Sequence, residues 1–283
     1  MKKGFRKSVF LGVAAIVLLS LSACGSGADQ ESEADSQETE TINLGVGTSP
    51  HEEIIEHIEE PLAKKGYKLS ITTFNDYVLP NTALKDGDLD ANLFQHEPYL
   101  ENYNKEHKSD LAVAENQKLY FLPLGIYGGK TKSLEDVKDG ASVAIPDDAT
   151  NGARALLLLQ EADLIKLEDD ADITATVSDI KENPQNLEIK ELEASQVARS
   201  RGDVDLAVIN ANYALDAGIN VKKEALLAED KDSDAAQTYG NLVAVKKDDQ
   251  NSKAIKALIE VLTSEDTRKF IDDEFQGAVI PVF

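Results

Sequence analysis

Arg154 is the only cation in "IPDDATNGARALLLLQ", residues 145–160. A strand-like run ends at Pro146, polar residues turn the chain, and a helix follows. A helix N-terminus carries unpaired N–H groups and the positive end of the peptide dipole. Arg154 lies about one turn inside and Asn151 stands beside the start. Dipole, amide and a guanidinium able to grip with two parallel bonds suit a carboxylate. The same residues also fit a plainer arrangement, in which Asp147, Asp148 or Thr150 caps the helix and Arg154 pairs with an acid.

The second cluster is "FQHEPYL", residues 94–100. It follows "DLDANL", which alternates like a half-buried strand, and precedes the polar helix-like "ENYNKEHKSD". Phe94 and His96 are two apart and share one strand face. Pro98 suits a helix start, with Tyr99 next. An aromatic wall with polar edges is the lining of a small-molecule pocket, and ring edges pack well on a thioether. A core aromatic beside a satisfied histidine is the alternative.

Bond-making chemistry has no comparable signature. There is no G-x-S-x-G, H-E-x-x-H or phosphate loop, and "GVGTS" lacks the lysine of one. His51, His57, His96 and His107 are scattered without ligand spacing, so no metal site and no cofactor are expected. The carboxylates are many, and choosing two as an acid–base pair would be arbitrary. These residues imply binding, not an enzyme.

The positioning elements alternate. "INLGV" (42–46) reads as a strand, and Ser49 with Glu52 fits a capping box with Pro50 at the first helical position. A helix through "HEEIIEHIEEPLAKKG", the strand "YKLSITTF" (67–74) and a short helix near "NTALKDG" follow. Then "SVAIPD" (142–147), "LEIKEL" (187–192), "DVDLAVIN" (203–210) and "NLVAVKK" (241–247) are strands, with two helices at the end. The pattern predicts α/β layers. "LAVAENQKLYFLPLGIYGGK" (111–130) is long and extended, suited to carrying the chain between two domains. "GDLDANLFQ" (87–95) and "GDVDLAVIN" (202–210) share a nine-residue frame ending in Gln95 and Asn210, which points to two similar lobes. Strand ends facing each other would make a cleft.

The chain has 283 residues, enough for two compact domains, and a formal net charge of −23. That charge repels phosphates, so nucleic acid is excluded as a partner. The start is a separate object. "MKKGFRK" is basic, "VFLGVAAIVLLSL" is apolar but short for a spanning helix, and "LSAC" leads into Cys24, the one cysteine. This resembles a lipobox, with residues 1–23 a cleaved signal and Cys24 lipidated. Cleavage removes four basic residues and no acidic one, taking the charge to −27. Residues 24–41 would then be the lipidated cysteine and an acidic flexible tether, too polar to bury a core.

"FQHEPYL", "LPLGIY", "IPDDATNGARALLLLQ", "DVDLAVINANYA" and "GAVIPVF" together resemble the NlpA lipoprotein family, the methionine-binding lipoproteins of bacterial ABC importers. The resemblance runs in order from about residue 42 to the end. It implies a two-lobed periplasmic-binding-protein fold, type 2-like, each lobe a mixed sheet flanked by helices. Lobe one is expected at 42–122 plus 246–283 and lobe two at 123–245. It implies capture of L-methionine outside the membrane and delivery to a permease with a cytoplasmic ATPase, by a monomer held on the extracytoplasmic face by its lipid. By the same resemblance Tyr77, Phe94, His96 and Tyr99 line the side-chain pocket, Arg154 with Asn151 holds the carboxylate, and Asn210 and Asn241 bind the polar end. Gly128 and Gly240 depart from the commoner residues of relatives. They leave room for D-methionine, a methionine-containing dipeptide or another amino acid; a surface amino-acid or peptide enzyme is the remaining alternative.

Overall fold

The computed structural model describes residues 39–283. The signal segment, Cys24 and all but the end of the tether lie outside them. From the start the chain runs β1 (Glu40–Gly47), α1 (His51–Ala63), β2 (Tyr67–Phe74), α2 (Leu79–Asp86), β3 (Ala91–His96), α3 (Glu97–His107) and β4 (Ala112–Phe121). Then come β5 (Gly125–Gly128), β6 (Ser142–Pro146), α4 (Ala149–Glu161), β7 (Lys166–Leu167), β8 (Ile180–Glu182) and β9 (Glu188–Leu192). Next are α5 (Ala194–Ser200), β10 (Leu206–Ile209), α6 (Ala211–Asp216), α7 (Val221–Glu224), β11 (Ala225–Ala228) and α8 (Asp234–Thr238). The chain ends with β12 (Gly240–Val245), α9 (Lys253–Leu262), α10 (Glu265–Phe275) and β13 (Ile280–Pro281).

Two mixed sheets carry the fold. One has the order β13-β4-β12-β3-β1-β2, the other β11-β5-β10-β6-β9, and β7 and β8 form a small ribbon. Phe121 ends β4 in the first sheet and Gly125 begins β5 in the second, so the extended 111–130 segment crosses between them. The chain returns after β11. Because β12 pairs with both β3 and β4, residues 240–245, expected in the second lobe, belong to the first sheet. Hydropathy marks a buried strand without naming its neighbours, and the pairing decides. Glu40 and Thr41, expected in the tether, are part of β1, where the Glu40 amide donates to the carbonyl of Gly66 (3.1 Å).

The two echoed segments occupy equivalent places. β3 lies between β1, parallel, and β12, antiparallel; β10 lies between β6, parallel, and β5, antiparallel. The second aspartate of each echo does the same work. Asp90 accepts from the Asn43 amide (2.7 Å) and donates its own amide to the Asn43 carbonyl (2.8 Å). Asp205 does so with Ser142 (2.9 and 3.0 Å). Each aspartate thus pins its strand to the parallel neighbour.

Helix α1 lays Ile54, Ile55, Ile58 and Leu62, all fully buried, on the first sheet. Each such side chain contributes about 1.5–3 kcal/mol over an exposed position. The expected capping box at its start is absent. The helix begins at His51 without a side-chain cap, and the Ser49 hydroxyl instead donates to Glu53 Oε1 (2.7 Å). Glu52 accepts from the Thr73 hydroxyl.

β3 departs from its half-buried reading, for all six residues are buried. Its polar side chains face an amide cluster rather than water. Gln95 Nε2 donates to Asn81 Oδ1 (2.6 Å) and Asn92 Oδ1 (2.9 Å), and Asn81 Nδ2 donates to Gln95 Oε1 (2.8 Å). Asn92 Nδ2 donates to the Pro80 carbonyl (3.1 Å). Satisfied amides of this kind can be buried at little cost. They tie α2 to the strand that carries Phe94 and His96.

Candidate ligand-binding site

Tyr77, Phe94, His96, Tyr99, Asn151, Arg154, Asn210 and Asn241 all line one cavity, together with Gln95, Leu122, Ala211 and Asn212. It lies between the two sheets. Phe94 and His96 come from the carboxyl end of β3. Asn241 comes from β12, whose register places it directly opposite His96. Asn151 and Arg154 come from the first two turns of α4, and Asn210 follows β10.

The aromatic wall is a set of tilted and edge contacts. Tyr77 and Phe94 have ring centroids 5.8 Å apart, Phe94 and Tyr99 5.9 Å and nearly perpendicular, Tyr77 and Tyr213 5.0 Å. Such pairs are the favoured geometry of aromatic quadrupoles. The Tyr99 hydroxyl donates to the Tyr77 carbonyl (2.9 Å) and the Tyr77 hydroxyl to Asn212 Oδ1 (2.6 Å). The phenolic ends are therefore spent, and the rings present apolar surface. Asn212 was missed from sequence, although it repeats Asn210 two residues on in "NANYA".

The polar half has a fixed order of donors and acceptors. Asp148 caps α4 and accepts from Asn151 Nδ2 with both carboxylate oxygens (2.9 Å each). A carboxylate only accepts, so Asn151 turns its Oδ1 inward. That oxygen accepts from Asn210 Nδ2 (2.8 Å) and from His96 Nε2 (3.3 Å). His96 Nδ1 accepts from the Tyr99 amide and caps α3, which leaves the proton on Nε2. Burial, with the nearby Arg154 charge adding to it, holds the His96 imidazole neutral, down at about 3. Burial also raises the Asp148 carboxyl above its ordinary value, against the hydrogen bonds from Asn151 and Thr150.

The helix N-terminus is thus already occupied by Asp148. The sequence-level choice between a capped helix and a carboxylate site is resolved locally in favour of the cap. Arg154 has a protein partner too: Nε donates to Glu229 Oε1 (2.6 Å), and Nη2 to Glu229 Oε2 and the Leu122 carbonyl (2.8 Å). The pair is buried, with side chains 4% and 7% exposed. The Tyr239 ring lies under the guanidinium, whose carbon is 4.4 Å from its centroid. Glu229 and Tyr239 carried no signal in sequence, Glu229 being one acid in the run "AEDKDSD".

Bookkeeping of this set leaves a pattern. A guanidinium has five N–H donors. Three of Arg154's are used, and the two on Nη1 have no partner among the described residues. Asn210 Oδ1 and Asn241 Oδ1 are buried acceptors, likewise without a partner there. Buried polar atoms are almost always paired, so orphans gathered on residues that line one cavity point to a ligand's groups there. Unspent donors, orphan acceptors and apolar rings among the residues lining one cavity are complementary to an α-amino acid with a non-polar side chain.

The NlpA lipoprotein model matches residues 42–283. The chain belongs to the NlpA lipoprotein family. It is similar to a lipoprotein of Ruminococcus gnavus (47% identity, TM-score 0.85, covering 86% of this chain and 100% of the other). It is similar to a nutrient binding protein of Burkholderia cenocepacia solved bound to methionine (41%, TM-score 0.81, 86% and 100%). The D-methionine-binding lipoprotein MetQ of Escherichia coli K12 is 40% identical over 233 residues, 81% of this chain and 84% of that one. The fold is the two-lobed α/β fold of periplasmic substrate-binding proteins. Among the described residues of this NlpA lipoprotein, no helix is long and apolar enough to cross a membrane.

Proposed function

We propose that this NlpA lipoprotein is the substrate-binding component of an ABC importer and that its ligand is methionine. One observation carries the reading: Asn210 and Asn241, whose amide oxygens are orphaned, line one cavity with Arg154, whose Nη1 is unspent. In this reading the oxygens accept from the ligand's ammonium and Nη1 donates to its carboxylate. The thioether lies against Phe94, Tyr77 and Tyr99, where sulfur–ring contacts are worth about 0.3–1.5 kcal/mol. The names of the methionine-bound structure and of MetQ support the choice of ligand.

The work is capture and delivery without bond-making. Lobe one comprises 42–122 with β12 to the end, lobe two the residues between, and the two crossings form the hinge. Hydrogen bonds already span the cleft, from the Tyr77 hydroxyl to Asn212 Oδ1 and from the Tyr213 hydroxyl to the Asn75 carbonyl (3.2 Å). A ligand touching both lobes adds to them and stabilises closure, the state a permease would accept. Lipidated Cys24 would hold the monomer at the outer face of the membrane.

The test is to purify residues 25–283, denature the protein and identify released small molecules by mass spectrometry, then titrate stripped protein with L-methionine, D-methionine and glycyl-methionine. Methionine in the extract, with saturable binding on titration, is the expected result. A dipeptide in the extract would move the ligand assignment, and absence of binding to all three would overturn the reading.

A further inference from the structure

The buried acid facing Arg154 has no place in the ligand contacts above, yet it lies at the junction of the two chain crossings. Glu229 directly follows β11, where the chain begins its return to the first sheet. Leu122 and Leu124 lie between β4 and β5, where the chain first leaves it. Glu229 Oε2 accepts from the Leu124 amide (2.7 Å), and the Glu229 amide donates to the Leu124 carbonyl (3.0 Å). Arg154 closes the set through the Leu122 carbonyl and Glu229. The arginine fork therefore holds one segment from each crossing and leaves only Nη1 unspent.

From this geometry we infer that Glu229 is a positioning residue for ligand recognition, resting on the reading of Arg154 as the carboxylate contact. Glu229 fixes the plane of the guanidinium, so that Nη1 meets the carboxylate without the side chain being ordered on binding. It also neutralises the arginine. The pair and a zwitterionic amino acid are then each neutral overall, and neither buries an uncompensated charge. A free arginine in the same place would present three edges and a net positive charge.

The test compares methionine with methioninol, which lacks the carboxylate, on wild type and Glu229→Gln by calorimetry. Wild type is expected to prefer methionine by at least about tenfold, the range of a charge-assisted hydrogen bond. In Glu229→Gln, where the guanidinium is no longer fixed, that preference should collapse to within about threefold. Loss of a merely structural acid would weaken both ligands alike and keep the ratio. A variant that retains the wild-type ratio overturns the inference. Equal binding of the two ligands by wild type overturns the carboxylate reading itself. Should the variant not fold, ¹⁵N NMR of wild type decides. The Arg154 Nε–H resonance, assigned with Arg154→Lys, should be sharp and slowly exchanging both with and without methionine. A resonance that sharpens only when methionine is added would show that the fork is not preset and would overturn the inference.

Discussion

Asp148 grips Asn151 three times: its Oδ1 accepts from the Asn151 amide, and its two oxygens share the side-chain Nδ2, all at 2.9 Å. One carboxylate therefore caps α4 and sets which way a cavity amide points. Through Asn151 Oδ1 the order passes on to His96 and Asn210, and it ends at the free oxygen of Asn210.

Asp148→Ala should consequently do more than remove a cap. Loss of an aspartate N-cap costs about 1 kcal/mol of stability. In addition, Asn151 becomes free to flip, so Asn210 loses its fixed orientation. Methionine affinity is expected to fall by about tenfold, on the order of one charge-assisted hydrogen bond. Urea unfolding with calorimetry on the same sample checks both. Lost stability with unchanged affinity would show that Asn151 is oriented by something else.

Arg154→Ala should lose stability and ligand together. It leaves the Glu229 carboxylate buried and unpaired, which typically costs about 3–5 kcal/mol. It also removes the carboxylate contact, weakening methionine at least about tenfold. The double variant Arg154→Ala with Glu229→Gln separates the two effects. It should regain much of the stability and none of the affinity. Recovery of both in denaturant and binding titrations would place the carboxylate contact elsewhere.

How far the sequence reached follows from what each feature depends on. The run "YKLSITTF" coincides with β2 at both ends because alternation and flanking glycine and asparagine are local. The order of sheet neighbours is not local, so nothing in residues 240–245 themselves places β12 between β3 and β4. "DLDANL" looked half-buried because alternation records polarity and not environment; Asn92 and Gln95 are polar and buried, satisfied by Asn81 from another element. In the cavity, Phe94, His96, Tyr99, Asn151, Arg154 and Asn210 stand at local signals, whereas Tyr77 and Asn241 follow from the family resemblance alone. Glu229 could not be found from sequence, because its partner Arg154 stands 75 positions away; Asn212 had a local cue in its repeat of Asn210, but its partner Tyr77 stands 135 positions away.

Gly129 offers a test of the first crossing's far end. A Cβ there would fall on the carbonyl oxygens of Arg201 and Val204, both backbone atoms that cannot swing aside. Gly129→Ala should lose about 1–3 kcal/mol through overpacking. Gly202, in open space with an ordinary φ, is the control. Gly202→Ala should stay within about 0.5 kcal/mol of wild type. Thermal melts of the two single variants check the contrast, and equal stability would contradict the packing described here.

Acid should destabilise the protein below the histidine range, and the sign follows from two buried rings. Burial holds both His51 and His96 down at about 3, against about 6.5 in the unfolded chain. Between those values the unfolded state binds a proton at each site that the folded state does not. Stability therefore rises with pH through this window and falls on acidification from about pH 6.5. Each histidine contributes up to about 1.4 kcal/mol per pH unit. Asp148, pushed upward by burial, works in the opposite direction nearer its own titration range. Comparison is therefore cleanest between pH 7 and 5. His51, bonded through Nδ1 to the Tyr120 hydroxyl (2.6 Å), lies outside the cavity lining and can be changed without touching it. His51→Gln should lower stability at pH 7 yet roughly halve the loss between pH 7 and pH 5 in urea melts. An undiminished loss in that variant would mean that His51 does not supply its share of the slope.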